Sequence, residues 1–153
     1  MSENPVRVPA EARRRGLLFI WGAQLMSLAL LFFLTYIVGP ESSTDGNHTL
    51  AWTLGAIGLT SFFVSFFVKH KLLEQAAAKQ RPDLGTTAYV LAFALCELPA
   101  LLGFLAYVIT GLSYARHSFI IAAVGIIVHF PPRGVFDPIE AQDAGASLNK
   151  TTL

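Results

Sequence analysis

The sequence has few cysteines and few charged residues. Cys96 is the only cysteine among 153 residues, which excludes an internal disulfide and any metal or redox motif that needs several thiols. Charged residues make up 14% of the chain, against roughly 25% in a typical soluble domain. The net charge of +1 gives no electrostatic reason to expect a nucleic-acid partner.

Recognisable catalytic motifs are also missing. The chain has no phosphate-binding glycine loop and no nucleophile motif. Its four histidines fall on different helices or loops, with His70 and His129 expected at the inner membrane surface. We therefore predict no metal site, no cofactor and no enzymatic activity.

Long apolar segments dominate the sequence, and hydrophobic residues make up 54% of it. Four segments are apolar enough to be membrane spans: residues 17–38, 50–68, 86–110 and 115–130. A helix rises 1.5 Å per residue, so the first segment is long enough to cross a hydrocarbon core of about 30 Å. The fourth segment is the shortest and needs Tyr114 or local bilayer thinning to cross.

These segments predict an all-α integral membrane protein with four transmembrane helices in an up-down bundle. Arg13, Arg14 and Arg15 precede the first segment, which is too long for the apolar region of a signal peptide. We expect an uncleaved first span, because no small-residue cleavage site follows it. The predicted domain, residues 17–130, is preceded by a polar segment without stable tertiary structure, residues 1–16, and followed by a polar tail, residues 131–153.

The basic residues predict the orientation. Ten of the eleven lysines and arginines fall on one side of a four-span arrangement, and only Arg116 falls on the other. Basic residues concentrate on the cytoplasmic side of membrane proteins, so both termini are expected in the cytoplasm. A three-span arrangement would move Arg133 and Lys150 to the outer side, which disfavours it.

Glu97 is the candidate functional residue, because it is the only charged side chain in the third span. An acidic group near the bilayer midplane is costly unless it is protonated, paired or hydrated. Such groups mark ion or proton pathways, but a protonated carboxyl that hydrogen-bonds between helices is an equal alternative. The candidate partners on the first two spans are Gln24, Ser61 and Ser65.

Small residues surround Glu97 along the third span. Ala92, Cys96 and Gly103 would allow neighbouring helices or subunits to approach closely. Pro99 removes a backbone donor and frees a carbonyl one turn earlier. We predict that these four residues form the helix-packing face.

The stretch from Lys79 to Gly111 resembles the loop and carboxylate-bearing helix of the proteolipid c subunit of rotary ATP synthases. It carries Arg81-Pro82 in a basic loop, then Glu97 in an apolar helix, with Gly103 six residues later. The resemblance implies that Glu97 binds a proton. The chain departs from that family in having two more spans and a second span rich in Phe. It also resembles small four-span bacterial membrane proteins of unknown function. That resemblance implies a bacterial inner (plasma) membrane.

Two functions fit this pattern. The first is a non-catalytic multi-pass protein, such as an accessory subunit of a membrane complex. The second is proton-linked transport or a rotor-like role through Glu97. Small multidrug exporters also combine four spans with one membrane Glu, although in them it lies in the first span. The expected partners are the lipid bilayer and either other membrane subunits or further copies of the chain.

Overall fold

The computed structural model describes residues 9–39, 47–79 and 81–133, and the predictions for residues 1–8 and 134–153 lie outside them. The four α-helices are α1 (Ala10–Ile37), α2 (His48–Ala78), α3 (Pro82–Thr110) and α4 (Ser118–Val128). A short 3-10 helix, Ser113–His117, leads directly into α4. All regular secondary structure of the described residues is helical, which confirms the all-α prediction.

The helices differ in how far they could reach across a bilayer. α1, α2 and α3 are each long and apolar enough to cross a membrane, consistent with an integral membrane protein. The 11 residues of α4 would extend only about 16 Å as an α-helix. The apolar segment of α4 and its 3-10 turn is therefore distinctly shorter than the other three, and a fourth crossing stays a prediction.

α1 begins at Ala10, seven residues before the predicted first span. The segment from Ala10 to Arg15 is rich in Ala, Glu and Arg, which are strong helix formers. Glu11 lies in the first turn of α1, where a negative charge is favourable. Arg13 also reaches across to Asp83 at the start of α3, with 3.9 Å between their charged atoms.

α3 is the central helix of the bundle. Within the most apolar stretch of each long helix, 44% of residues are buried in α3, against 22% in α2 and 11% in α1. α3 packs against α1, α2 and α4. On α1, the Trp21 indole N–H donates to the Ile126 carbonyl of α4 over 2.9 Å. α1 is thereby held against both α3 and α4.

Glycines allow three close approaches to α3. A Cβ atom on Gly58 of α2 would lie 3.0 Å from the backbone of Pro99. One on Gly125 of α4 would lie 2.8 Å from the Cys96 sulfur. One on Gly103 would lie 2.5 Å from Ser118. No larger side chain fits at these positions without a shift of the neighbouring helix.

The turn from α3 into the 3-10 helix depends on another glycine. Gly111 has a φ angle of 69°, in the left-handed region that glycine adopts without steric cost. Its N–H donates to the Tyr107 carbonyl over 2.9 Å and so ends α3. This turn directs α4 back along α3.

The outward faces of α1 and α2 are strongly apolar. Phe19 is 80% exposed and Phe33 is 59% exposed on α1, while Trp52 is 69% and Phe67 64% exposed on α2. Soluble monomeric proteins rarely expose contiguous apolar surface of this kind. The exposed faces therefore suit contact with lipid hydrocarbon.

The first prediction concerns the contact at Gly103. Replacing Gly103 with Leu should destabilise the bundle by about 1–3 kcal/mol, because the new side chain overpacks the contact with Ser118 and the Ala115 carbonyl. Thermal unfolding of the detergent-solubilised protein measures the effect. Gly22→Leu is the matched control, because a Cβ there meets nothing within 4 Å. Equal melting temperatures for the two variants would contradict this packing.

Candidate functional site

Glu97 lies at the centre of α3, 15 residues after Pro82 and 13 before Thr110. Its carboxyl faces α1, where the Ser27 hydroxyl donates a hydrogen bond to Oε1 over 2.6 Å. Short hydrogen bonds from a hydroxyl to a carboxyl oxygen are among the stronger ones in proteins. The pair therefore links α1 to α3 near the middle of α3.

The hydroxyls predicted as partners of Glu97 bond elsewhere. Ser61 donates to the Gly58 carbonyl over 2.7 Å and Ser65 to the Phe62 carbonyl over 2.6 Å, both within α2. α2 packs on a different face of α3 from the one that carries Glu97. Gln24 lies one turn before Ser27 on α1 and is partly exposed, but the described residues contain no hydrogen bond between it and Glu97. Ser27 thus takes the place expected for these three residues.

The bundle does not enclose Glu97 completely. The residue is partly exposed, at the edge of a stripe of α3 that faces outward. Val90, seven residues before it, is 39% exposed, and Leu101, four residues after it, is 44% exposed. One side of the carboxyl therefore contacts Ser27, while another side opens between α1 and the apolar surface of α3.

A second polar cluster lies in the core, where α2, α3 and α4 meet. Ser65, Cys96 and His129 are all completely buried. The Cys96 thiol donates to Ser65 Oγ over 3.3 Å, and the Cys96 sulfur lies 3.8 Å from His129 Nδ1. Each residue comes from a different part of the chain, so the cluster joins three elements. Among the described residues, no three histidines, cysteines or acidic residues come together as a metal site would require.

The hydrogen bonds of this cluster fix where its protons lie. His129 Nδ1 is 2.8 Å from the Gly125 carbonyl, which only accepts, so Nδ1 carries the proton. The nitrogen nearest the Cys96 sulfur therefore cannot act as a base. The Ser65 hydroxyl donates to the Phe62 carbonyl within α2, and its oxygen lies 3.3 Å from the Cys96 sulfur and 3.5 Å from His129 Nε2. The cluster thus gives each of its three buried side chains a polar contact within the core.

His129, which the sequence predicts near the inner membrane surface, is completely buried within the bundle. Its ring centroid lies 4.5 Å from that of Phe66. It is the cap residue of α4, and its N–H still donates to the Gly125 carbonyl, so the end of the helix holds the imidazole over Cys96. The only sequence signal for this buried histidine is its place at the end of the apolar fourth segment.

The four predicted packing residues all lie on buried faces of α3. Ala92 and Cys96 are fully inaccessible. Pro99 contacts Gly58, and Gly103 contacts Ser118. These positions place a continuous small-residue surface against α2 and α4, while Glu97 points to the α1 side.

Comparison with known proteins gives no match to this chain. No family model, no curated protein and no solved structure matches it. The function is therefore inferred from the geometry around Glu97 and Cys96.

Proposed function

We propose that this chain is a non-catalytic multi-pass membrane protein that acts as a subunit of a larger membrane assembly. The observation that carries the proposal is the partly exposed carboxyl of Glu97 in the middle of α3. An accessory subunit that binds its partner through this face accounts for the opening beside the carboxyl.

The chemistry of the partner follows from the few hydrogen-bonding and charged groups that this chain itself places near Glu97. Ser27 supplies one hydrogen bond, while a carboxyl group has room to accept several. The apolar segments 17–38, 50–68 and 86–110 contain no lysine or arginine, so they provide no cation. Intramembrane acidic groups usually pair with another polar or charged group. A partner helix that carries a cationic or strong donor side chain at this depth would complete the site.

A non-catalytic role is supported by the buried cluster. The Cys96 thiol is completely buried, and it donates to the Ser65 hydroxyl. A substrate could not reach it without separating three helices. The cluster is better suited to fixing the relative positions of α2, α3 and α4.

We also propose four crossings of a bacterial inner membrane, with both termini in the cytoplasm. The charge distribution of the described residues supports this orientation. Arg13 and Lys69 lie at the same end of the bundle, near Asp83 and Tyr89 at the start of α3. Arg116 lies at the opposite end, with its guanidinium over the ring of Tyr107.

The second prediction tests this topology. Tags placed at Ser2 and at Leu153 should both be inaccessible to an impermeant reagent in intact cells and become accessible when the inner membrane is opened. A tag inserted beside Arg116 should label in intact cells once the outer envelope is permeable. Labelling of the two termini from opposite sides would rule out four crossings.

The third prediction tests the partner face. A photo-crosslinking residue at Leu101, beside Glu97, should form one protein adduct of constant mass in intact membranes. The same residue at Val64 is the control, because Val64 is 41% exposed, close to the 44% of Leu101, but lies on α2. Glu97→Leu should remove the Leu101 adduct, since the partner loses its polar anchor.

Two results would contradict the subunit proposal. One is equal adduct formation at Leu101 and Val64. The other is an adduct at Leu101 that persists in Glu97→Leu while the variant melts at the temperature of the unaltered protein. Peptide mass spectrometry of the adduct distinguishes a different polypeptide from a second copy of this chain.

Proton-linked transport is the second candidate, because the partly exposed carboxyl could exchange a proton. The resemblance to the rotary ATP synthase c subunit points the same way. Under this alternative, Glu97→Gln keeps the shape and the bond from Ser27 but cannot release a proton. Liposomes containing the unaltered protein would then dissipate a pH gradient, whereas liposomes with Glu97→Gln would hold it. Equal gradients in both would remove this candidate.

A further inference from the structure

A pocket of about 450 Å³ lies on the side of the bundle away from α1. Its walls come from α2, from the second half of α3 and from the 3-10 helix with the start of α4. This volume falls within the range of about 300–1,000 Å³ that is typical of small-molecule sites. The helix α4 begins only at Ser118, after the 3-10 helix. The neighbouring walls carry small residues such as Gly55, Ala56 and Ala106, which leave room between the helices.

The polar groups of the pocket are concentrated at one end. Trp52, Tyr114 and His117 line the outer end, near the start of α2, and Ser118 lies beside Gly103. The Tyr114 hydroxyl lies 3.2 Å from His48 Nδ1, and its ring is 5.7 Å from that of Trp52. His117 Nδ1 is 2.8 Å from the Tyr114 carbonyl. That nitrogen therefore carries the proton, and Nε2 is left as an acceptor.

The other end of the pocket is apolar. The α2 wall runs from Ala51 to Leu59, a depth of about 12 Å at 1.5 Å per residue. Leu59 and Ile121 close the deep end, and Gly55 and Gly103 leave the space between the helices open. A molecule in this pocket would meet hydrogen-bonding groups at the outer end and, apart from the Ser118 hydroxyl, hydrocarbon below.

The charges around the pocket limit what its ligand can be. No lysine, arginine, aspartate or glutamate lines it. The nearest guanidinium in sequence, that of Arg116, lies over Tyr36 and Tyr107 and does not face the pocket. A phosphate or ammonium headgroup would therefore enter without a counter-charge, which is unfavourable at a largely apolar site.

We propose that this pocket binds an uncharged amphipathic small molecule with a single hydrocarbon chain. Its hydroxyl or carbonyl head bonds with Tyr114, His117 or the Trp52 indole N–H, and its chain lies between α2 and α4. The site is independent of Glu97 and does not rely on the partner subunit.

A fluorescence experiment tests this site, because Trp52 is one of only two tryptophans in the chain. The protein is placed in lipid vesicles and titrated with a long-chain alcohol that carries bromine on the carbon next to the hydroxyl-bearing carbon, so that the bromine lies beside Trp52 and quenches its indole fluorescence on contact. The quenched signal should saturate at low mole fraction, and Trp52→Phe should remove it. Gly55→Leu should weaken the saturable quenching at least tenfold, because its side chain enters the pocket.

Gly22→Leu on α1 is the matched control and should leave the titration unchanged, since a Cβ at either glycine meets nothing within 4 Å. Ala56→Phe is a second pocket-filling variant and should act like Gly55→Leu. A bromine-labelled phosphatidylcholine should quench without saturation and equally in Gly55→Leu, Ala56→Phe, Gly22→Leu and the unaltered protein, as bulk lipid would. Saturable quenching that is the same in Gly55→Leu, Ala56→Phe and Gly22→Leu would overturn the proposal, as would quenching by the alcohol that only follows its bulk concentration.

Discussion

The close contact of α3 with its neighbours is the constraint on which the rest of the structure depends. Gly58 and Gly125 let α2 and α4 approach the backbone and the small side chains of α3. Lipid hydrocarbon is as apolar as the helix surfaces, so helices in a membrane associate mainly through tight packing and hydrogen bonds. The buried contact of Cys96 with Ser65 and His129 adds polar bonds where that packing is closest.

This packing also decides where Glu97 points. Cys96 and Glu97 are consecutive, and side chains of consecutive helical residues diverge by about 100°. Once Cys96 faces α2 and α4, Glu97 must face the α1 side, where Ser27 meets it. α1 is the least buried of the three long helices, so this side of α3 stays partly open. The proposed partner face thus follows from the same contacts that hold the core together.

Much of this fold follows from the sequence, whereas the partners of the polar groups do not. Uninterrupted apolar runs locate α1, α2 and α3, and a stripe of small residues marks the buried face of α3. The sequence pattern does not tell which neighbour each face of α3 meets, so Ser27 was not preferred over Ser61 as the partner of Glu97. The contact of His129 with Cys96 has the same origin, because it depends on which face of α3 the end of α4 meets.

The central claim is that another polypeptide covers the open side of Glu97. The most direct test is the mass of the native complex, extracted with its surrounding lipid and measured by mass spectrometry. We expect the 16.6 kDa chain to be bound in a fixed ratio to a different polypeptide, and Glu97→Leu to release that polypeptide while the chain stays folded. Recovery of the chain alone, or only with copies of itself, would contradict the claim.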